Sequence, residues 1–159
     1  MLRISKLTDY ATVLLAELAR RPADCVSASL LAETTGLETP TVSKVLKTLG
    51  KGGVVDSLRG VNGGYRLARD PEQISVAAVV RAMEGPIALT ECALEPGLCS
   101  HEAHCHLRGH WRQIGATVEA ALDRLSLADL TGNEAERIAI RAVDSARRAN
   151  LTQLEKRSV

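Results

Sequence analysis

The chain has 159 residues, of which 45% are apolar and 25% charged, enough to build one packed core and too little for a conventional two-domain enzyme. Aromatic residues amount to 2%, with no Phe, which argues against modules that grip single strands by stacking bases on aromatic rings. The formal net charge is +1, but residues 1–70 carry ten Lys/Arg against seven Asp/Glu, residues 71–130 four against eight, and residues 131–159 six against four, so a basic front is hidden in a near-neutral total. No apolar run reaches the roughly 20 residues that span a bilayer and no signal-like block opens the chain, so the expectation is a cytoplasmic protein without a membrane partner. Reducing conditions there disfavour disulfides, and the four cysteines need another explanation.

In chain order, residues 5–20 read as a helix: Ser5 caps its start, and Leu7, Ala11, Leu14, Leu15 and Leu18 recur at three- and four-residue spacing. SASLLAETTGL suggests a second, shorter helix ending at Gly36. Thr39 followed by Pro40 predicts the cap and first residue of a third. A short helix, a Gly turn and a capped helix make the helix-turn-helix pattern. At about 100° per residue, Val42, Val45, Leu46 and Leu49 share one face of the third helix, and Lys44, Lys47 and Lys51 share the opposite one. Val54 to Arg59 then reads as a strand, Gly60-Val61-Asn62-Gly63-Gly64 as a turn and Tyr65 to Leu67 as the partner strand, a β-hairpin wing.

ISVAAVVRAMEG predicts a further apolar helix closing at Gly85 and Pro86, and residues 88–106 lack periodicity and read as a loop. Beyond it Leu107, Trp111, Ile114, Val118, Ala121, Leu122 and Leu125 form one stripe with the alternating four- and three-residue steps of a coiled-coil seam, which favours a homodimer over packing within its own domain. The resulting expectation is a mostly α fold with a small β-hairpin wing, a winged helix-turn-helix followed by a long dimerisation helix. Its divisions are 1–86 for the DNA-binding domain, 87–106 for a cluster-binding loop, 107–130 for the dimerisation helix and 131–159 for a polar helix or tail.

A helix face of three lysines suits the phosphate walls of a major groove, with bases read by the first turn around Thr41, Ser43 and Lys44. Arg59 at the wing base suits a narrow minor groove. The expected partner is double-stranded DNA, partly palindromic with half-sites about one turn apart, and not a small-molecule substrate.

Cys92, Cys99 and Cys105 fall within 14 residues, and four histidines (His101, His104, His106, His110) within ten. Their spacing, Cys-x6-Cys-x5-Cys, matches neither the paired cysteines of structural zinc sites nor the ferredoxin pattern. Three thiolates on one loop can wrap a small inorganic cluster, with a fourth ligand from His, Asp, Glu, solvent or another chain. The weaker fourth ligand suits a sensor. A zinc site completed by a neighbouring histidine and a bare thiol switch are competing readings. Cys25 reads as a packed residue, and Cys/His nucleophilic catalysis lacks an accompanying oxyanion loop, so no enzyme is expected.

The opening KLTDYA, the LAETTGLETPTVSKVLKTLG and LRGVNGGYRLAR segments, the EGPIALTEC block and three cysteines ahead of Trp111 resemble the winged-helix iron-sulfur regulators typified by IscR and NsrR, over about residues 1–130 and nearest the branch that controls SUF cluster assembly. The resemblance implies a homodimer held by the long helix and an iron-sulfur cluster on Cys92, Cys99 and Cys105. It also implies base contacts from Ser43, Lys44 and Arg59, and a repressor of iron-sulfur assembly genes. IscR-type members complete a 2Fe-2S cluster with a histidine at a position that is Arg108 here; Arg108 cannot ligate, which leaves His106 or His104. NsrR-type members hold a 4Fe-4S cluster with an aspartate of the partner subunit, at the position of Asp9. The expectation leans to 2Fe-2S.

Overall fold

The computed structural model describes residues 4–21, 24–60, 63–95, 97–101 and 104–131. The expected polar helix or tail at 131–159 lies, apart from its first residue, outside the described residues, as do wing-turn residues 61 and 62.

Helix α1 (Lys6–Ala19) starts where Ser5 Oγ accepts the Thr8 amide at 3.3 Å, and it buries Ala11, Leu14, Leu15 and Leu18 almost completely. Each such leucine contributes about 1.5–3 kcal/mol by leaving water. Helix α2 (Ala28–Thr35) is capped in the same way by Ser27, and Gly36 ends it at φ 69, a left-handed conformation that Gly adopts without a Cβ penalty. Helix α3 (Thr39–Lys51) begins one residue earlier than expected. Its cap is Glu38, which turns the chain without a side-chain hydrogen bond, so Thr39 is already helical and Pro40 sits in the first turn, where its missing N–H costs nothing.

Strands β1 (Val55–Leu58) and β2 (Gly64–Leu67) pair antiparallel with Val55 opposite Leu67 and Asp56 opposite Arg66. Tyr65 also exchanges two backbone hydrogen bonds with Val26, at 2.9 and 2.8 Å, which ties the wing to the segment between α1 and α2. A single 3₁₀ turn (Pro71–Gln73) leads into α4 (Val76–Glu84), capped by Ser75, whose Oγ accepts the Ala78 amide at 3.1 Å.

The predicted loop at 88–106 is not wholly irregular, because Thr90 turns the chain into one helical turn, α5 (Glu91–Leu94), that packs on the next helix. That helix, α6 (Arg108–Asp123), is shorter than the 107–130 expected. The chain turns at Arg124, and Leu125 lies beyond the helix. A short final helix, α7 (Leu127–Thr131), folds back onto α1 and the 3₁₀ turn. Asp129 makes this return possible: its carboxylate accepts the Ser126 amide at 2.9 Å and hydroxyl at 2.7 Å, closing the first turn, while Leu127 inserts at 1% exposure into the core.

One core results, built from Leu14, Leu15 and Leu18 of α1, Leu31 of α2, Val42, Val45, Leu46 and Leu49 of α3, Val54, Val55, Ile74, Val79 and Leu127. Helix α6 lies outside it, attached through α4 and α5. Among the described residues, no helix is long and apolar enough to cross a membrane.

Candidate nucleic-acid interface and cysteine segment

Burying Val42, Val45, Leu46 and Leu49 leaves the opposite face of α3 in solvent, and there Lys44, Lys47 and Lys51 are exposed. None of the ion pairs found among the described residues involves these lysines, so no carboxylate among the described residues neutralises their charge. Thr41 and Ser43, in the first half of the helix, are half-buried. Arg59 is exposed just past β1, at the base of the wing turn. The six residues expected to meet DNA thus lie on α3 and the wing next to it.

Between these two elements runs an open groove with Leu46 and Val55 at its floor and Lys47, Lys51, Ser57 and Arg66 along its walls. Arg66 lies on the partner strand, Tyr65 to Leu67, and is not among the six residues that the sequence leads one to expect at DNA. Its signal is the alternation of β2: Tyr65 and Leu67 are half-buried, and Arg66 between them is exposed. Arg66 lies 3.6 Å from Asp56 across the hairpin, with both side chains about half exposed at 50% and 51%. Such a surface pair holds the guanidinium only weakly and leaves it free to turn to a phosphate.

The cysteine segment is anchored at its first member. Cys92, in α5, is buried at 6% exposure, its Sγ lies 3.3 Å from Thr90 Oγ1, and its carbonyl accepts Arg108 Nε at 3.2 Å. Arg108 therefore opens α6 by fastening it to the Cys92 peptide. Cys99 and Cys105 are half-buried, and all four cysteines including Cys25 are free thiols. His104 and His106 are exposed, and the rings of His101 and His104 stand 6.3 Å apart. Asp9 is exposed in the first turn of α1. Among the described residues no three His, Cys, Asp or Glu side chains converge on a metal position, so one chain alone does not bring Cys92, Cys99 and Cys105 together with Asp9 or His106. The three sulfurs on this segment take part in no disulfide and are of the donor type that a thiolate-ligated cluster needs.

The two halves of the molecule meet at α4. Arg81 donates from Nη1 to Glu119, and its Nη2 lies 3.4 Å from Asp123, both on α6. The Glu119 hydrogen bond and the charge of Asp123 raise the Arg81 pKa further above its usual range. The Ser75 hydroxyl, donating at 2.7 Å, and then the Arg81 guanidinium hold Asp123 below the usual carboxylate range. At the other end of α4 Glu84 accepts the Ser5 amide at 3.0 Å and the Thr8 hydroxyl, and the hydroxyls of Ser5 and Thr8 with that amide lower its pKa.

Leu107, just before α6, and Trp111 and Ile114 on it are exposed at 56%, 38% and 44%. Leu94 and Leu98 of the cysteine segment are exposed at 49% and 50%.

The family model for Rrf2, described as an iron-dependent transcriptional regulator, matches residues 4–133. An HTH-type transcriptional regulator NsrR of Halalkalibacterium halodurans is 34% identical over 137 residues, covering 85% of this chain and 94% of its own. An HTH-type transcriptional regulator IscR of Aliivibrio salmonicida is 30% identical over 118 residues, 73% of this chain and 70% of its own. Among solved structures, CymR, the global cysteine regulator of B. subtilis, superposes with a TM-score of 0.64 at 30% identity, covering 82% of this chain and 97% of that one.

Proposed function

The chain belongs to the Rrf2 family of DNA-binding transcriptional regulators and is not an enzyme, and from that premise we propose that it is a cytoplasmic, homodimeric sensor of an iron-sulfur cluster that represses iron-sulfur assembly genes. The observation that carries this reading is the cysteine segment: three free thiols in 14 residues, anchored through Cys92 and Arg108 to the start of α6.

Cys92, Cys99 and Cys105 would hold a 2Fe-2S cluster, with His106, next to the third thiol, as the fourth ligand. When bound, the cluster supplies a thiolate-ligated iron centre whose loss or oxidation reports on iron, oxygen or nitric oxide. The chain's own residues do the rest. Arg108 and α5 fix one end of the segment to α6, and exposed Trp111 and Ile114 of that helix, with Leu107 just before it, pair with those of a second copy. Two copies present two α3 helices, and the partly palindromic duplex they fit has half-sites about one turn apart. Lys44, Lys47, Lys51 and Arg66 meet phosphates, Thr41, Ser43 and Lys44 meet base edges, and Arg59 enters the minor groove.

Anaerobic reconstitution with iron and sulfide tests the cluster. The expected protein is coloured, with visible charge-transfer absorption and matching iron and acid-labile sulfide, both lost in Cys99→Ala. A colourless protein carrying one zinc per chain overturns the reading. His106→Ala is expected to destabilise the cluster and Asp9→Ala to leave it intact. The reverse pattern identifies a 4Fe-4S cluster completed by Asp9 of the partner subunit.

A further inference from the structure

Three neighbouring residues near the end of α4 face three different elements. Arg81 reaches α6, where its planar fork engages Glu119 and Asp123, two carboxylates one helical turn apart. Ala82 meets the end of α3 so closely that a Cβ added at Gly52 would collide with the Ala82 Cβ and stand 3.1 Å from its Cα. Glu84 receives the amide of Ser5 and the hydroxyl of Thr8 at the start of α1. The helix carrying all three is nine residues long, is capped by Ser75 and is set in the core by Ala77 and Val79.

These contacts differ in kind. The α6 side is electrostatic and solvent-exposed, with Arg81 at 41% and its partners at 34% and 45%, so it adds little to stability. What it does is set register, because a guanidinium bridging positions four apart on α6 loses one partner when that helix slides or turns. The α3 side is backbone against methyl. Close-packed groups with no side-chain slack pass a displacement on rather than absorb it. Lys51, the last residue of α3, is adjacent to the contact.

We propose that α4 is a strut through which the position of α6 sets the position of α3 on DNA, with Arg81 and the Gly52–Ala82 contact as its positioning residues. This rests on the reading of α3 as the DNA-contacting helix, and it requires no assumption about which ligand moves α6.

The test is a double-mutant cycle on the full chain, with a mixed-sequence DNA duplex at low salt as probe. Arg81→Gln is expected to change the duplex Kd by about fivefold or more, with little change in thermal midpoint. In an Ala82→Gly background the same change should alter Kd by less than about twofold, the limit of additivity for independent sites. Gly52→Ala should weaken binding, and Ala82→Gly should restore it by removing the colliding methyl. Amide exchange supplies a readout without DNA: Arg81→Gln should speed exchange at Gly52, Gly53 and Val54, whose amides bond Thr48, Gly50 and Leu49 carbonyls, only while Ala82 is present. Equal effects of Arg81→Gln in both backgrounds, or no effect on either readout, overturn the strut. If the wild type fails to bind duplex, the reading of α3 falls, and the exchange data still decide whether α4 couples the two helices.

Discussion

Lys47 stands at the middle of the exposed face of α3 and on the wall of the groove shared with Arg66 of the wing. A lysine there supplies a point charge to a phosphate and reads no base, so its loss weakens all duplexes alike. Lys47→Ala is expected to lower the slope of log K against log salt by about one unit, measured by fluorescence anisotropy over a salt series; an unchanged slope would make the face merely solvated. The lysines were legible in the sequence because a helix repeats every 3.6 residues and their angular position follows from counting. Arg66 was less plain, because a strand as short as β2 offers a single alternation, Tyr65 inward, Arg66 outward and Leu67 inward, from which to tell its face. The cysteines show the same limit. Their crowding is plain from the numbering, but which sulfur is buried and which peptide Arg108 holds depends on how α5 packs against α6.

At the scale of elements, local chemistry predicted α1, α2, the wing and α4 closely, because each has a Ser cap, a Gly turn or an apolar period of its own. Where the expectation departed, a longer-range contact decided. The apolar stripe of α6 runs on through Leu125 in sequence, yet the helix stops at Asp123, because the next residues are drawn back to the core: the Val76 amide donates to the Leu125 carbonyl at 2.8 Å and the Leu127 amide to the Ile74 carbonyl at 2.7 Å. A periodic pattern cannot show that its last member has been recruited elsewhere. The α7 helix is therefore part of the winged-helix core despite following the cysteine segment. Leu127→Ala leaves a cavity between α1 and the 3₁₀ turn and is expected to cost about 2–5 kcal/mol, read from urea melts. A loss within a few tenths of a kcal/mol would show α7 to be a surface appendage.

For the whole molecule, the exposed leucines of the cysteine segment and exposed Trp111 and Ile114 of α6 are apolar surface that a single copy leaves in water, and the proposed dimer covers it. Ile114→Glu puts a carboxylate in that seam and is expected to shift the protein to monomer in sedimentation equilibrium, with duplex affinity falling as paired half-site binding is lost. Retention of the dimer would place the interface elsewhere. The backbone ties on either side of Ser75 and Ser126 have one more consequence. They fasten the chain before α4 and after α6 to the same spot, so everything between is a closed loop and not a tail. The entropy of closing such a loop grows only with the logarithm of its length, about 0.6 kcal/mol per doubling. Residues can therefore be added to or removed from the cysteine segment at almost no cost to the winged helix. An irregular spacing such as Cys-x6-Cys-x5-Cys can thus be lengthened or shortened while the winged-helix core stays closed.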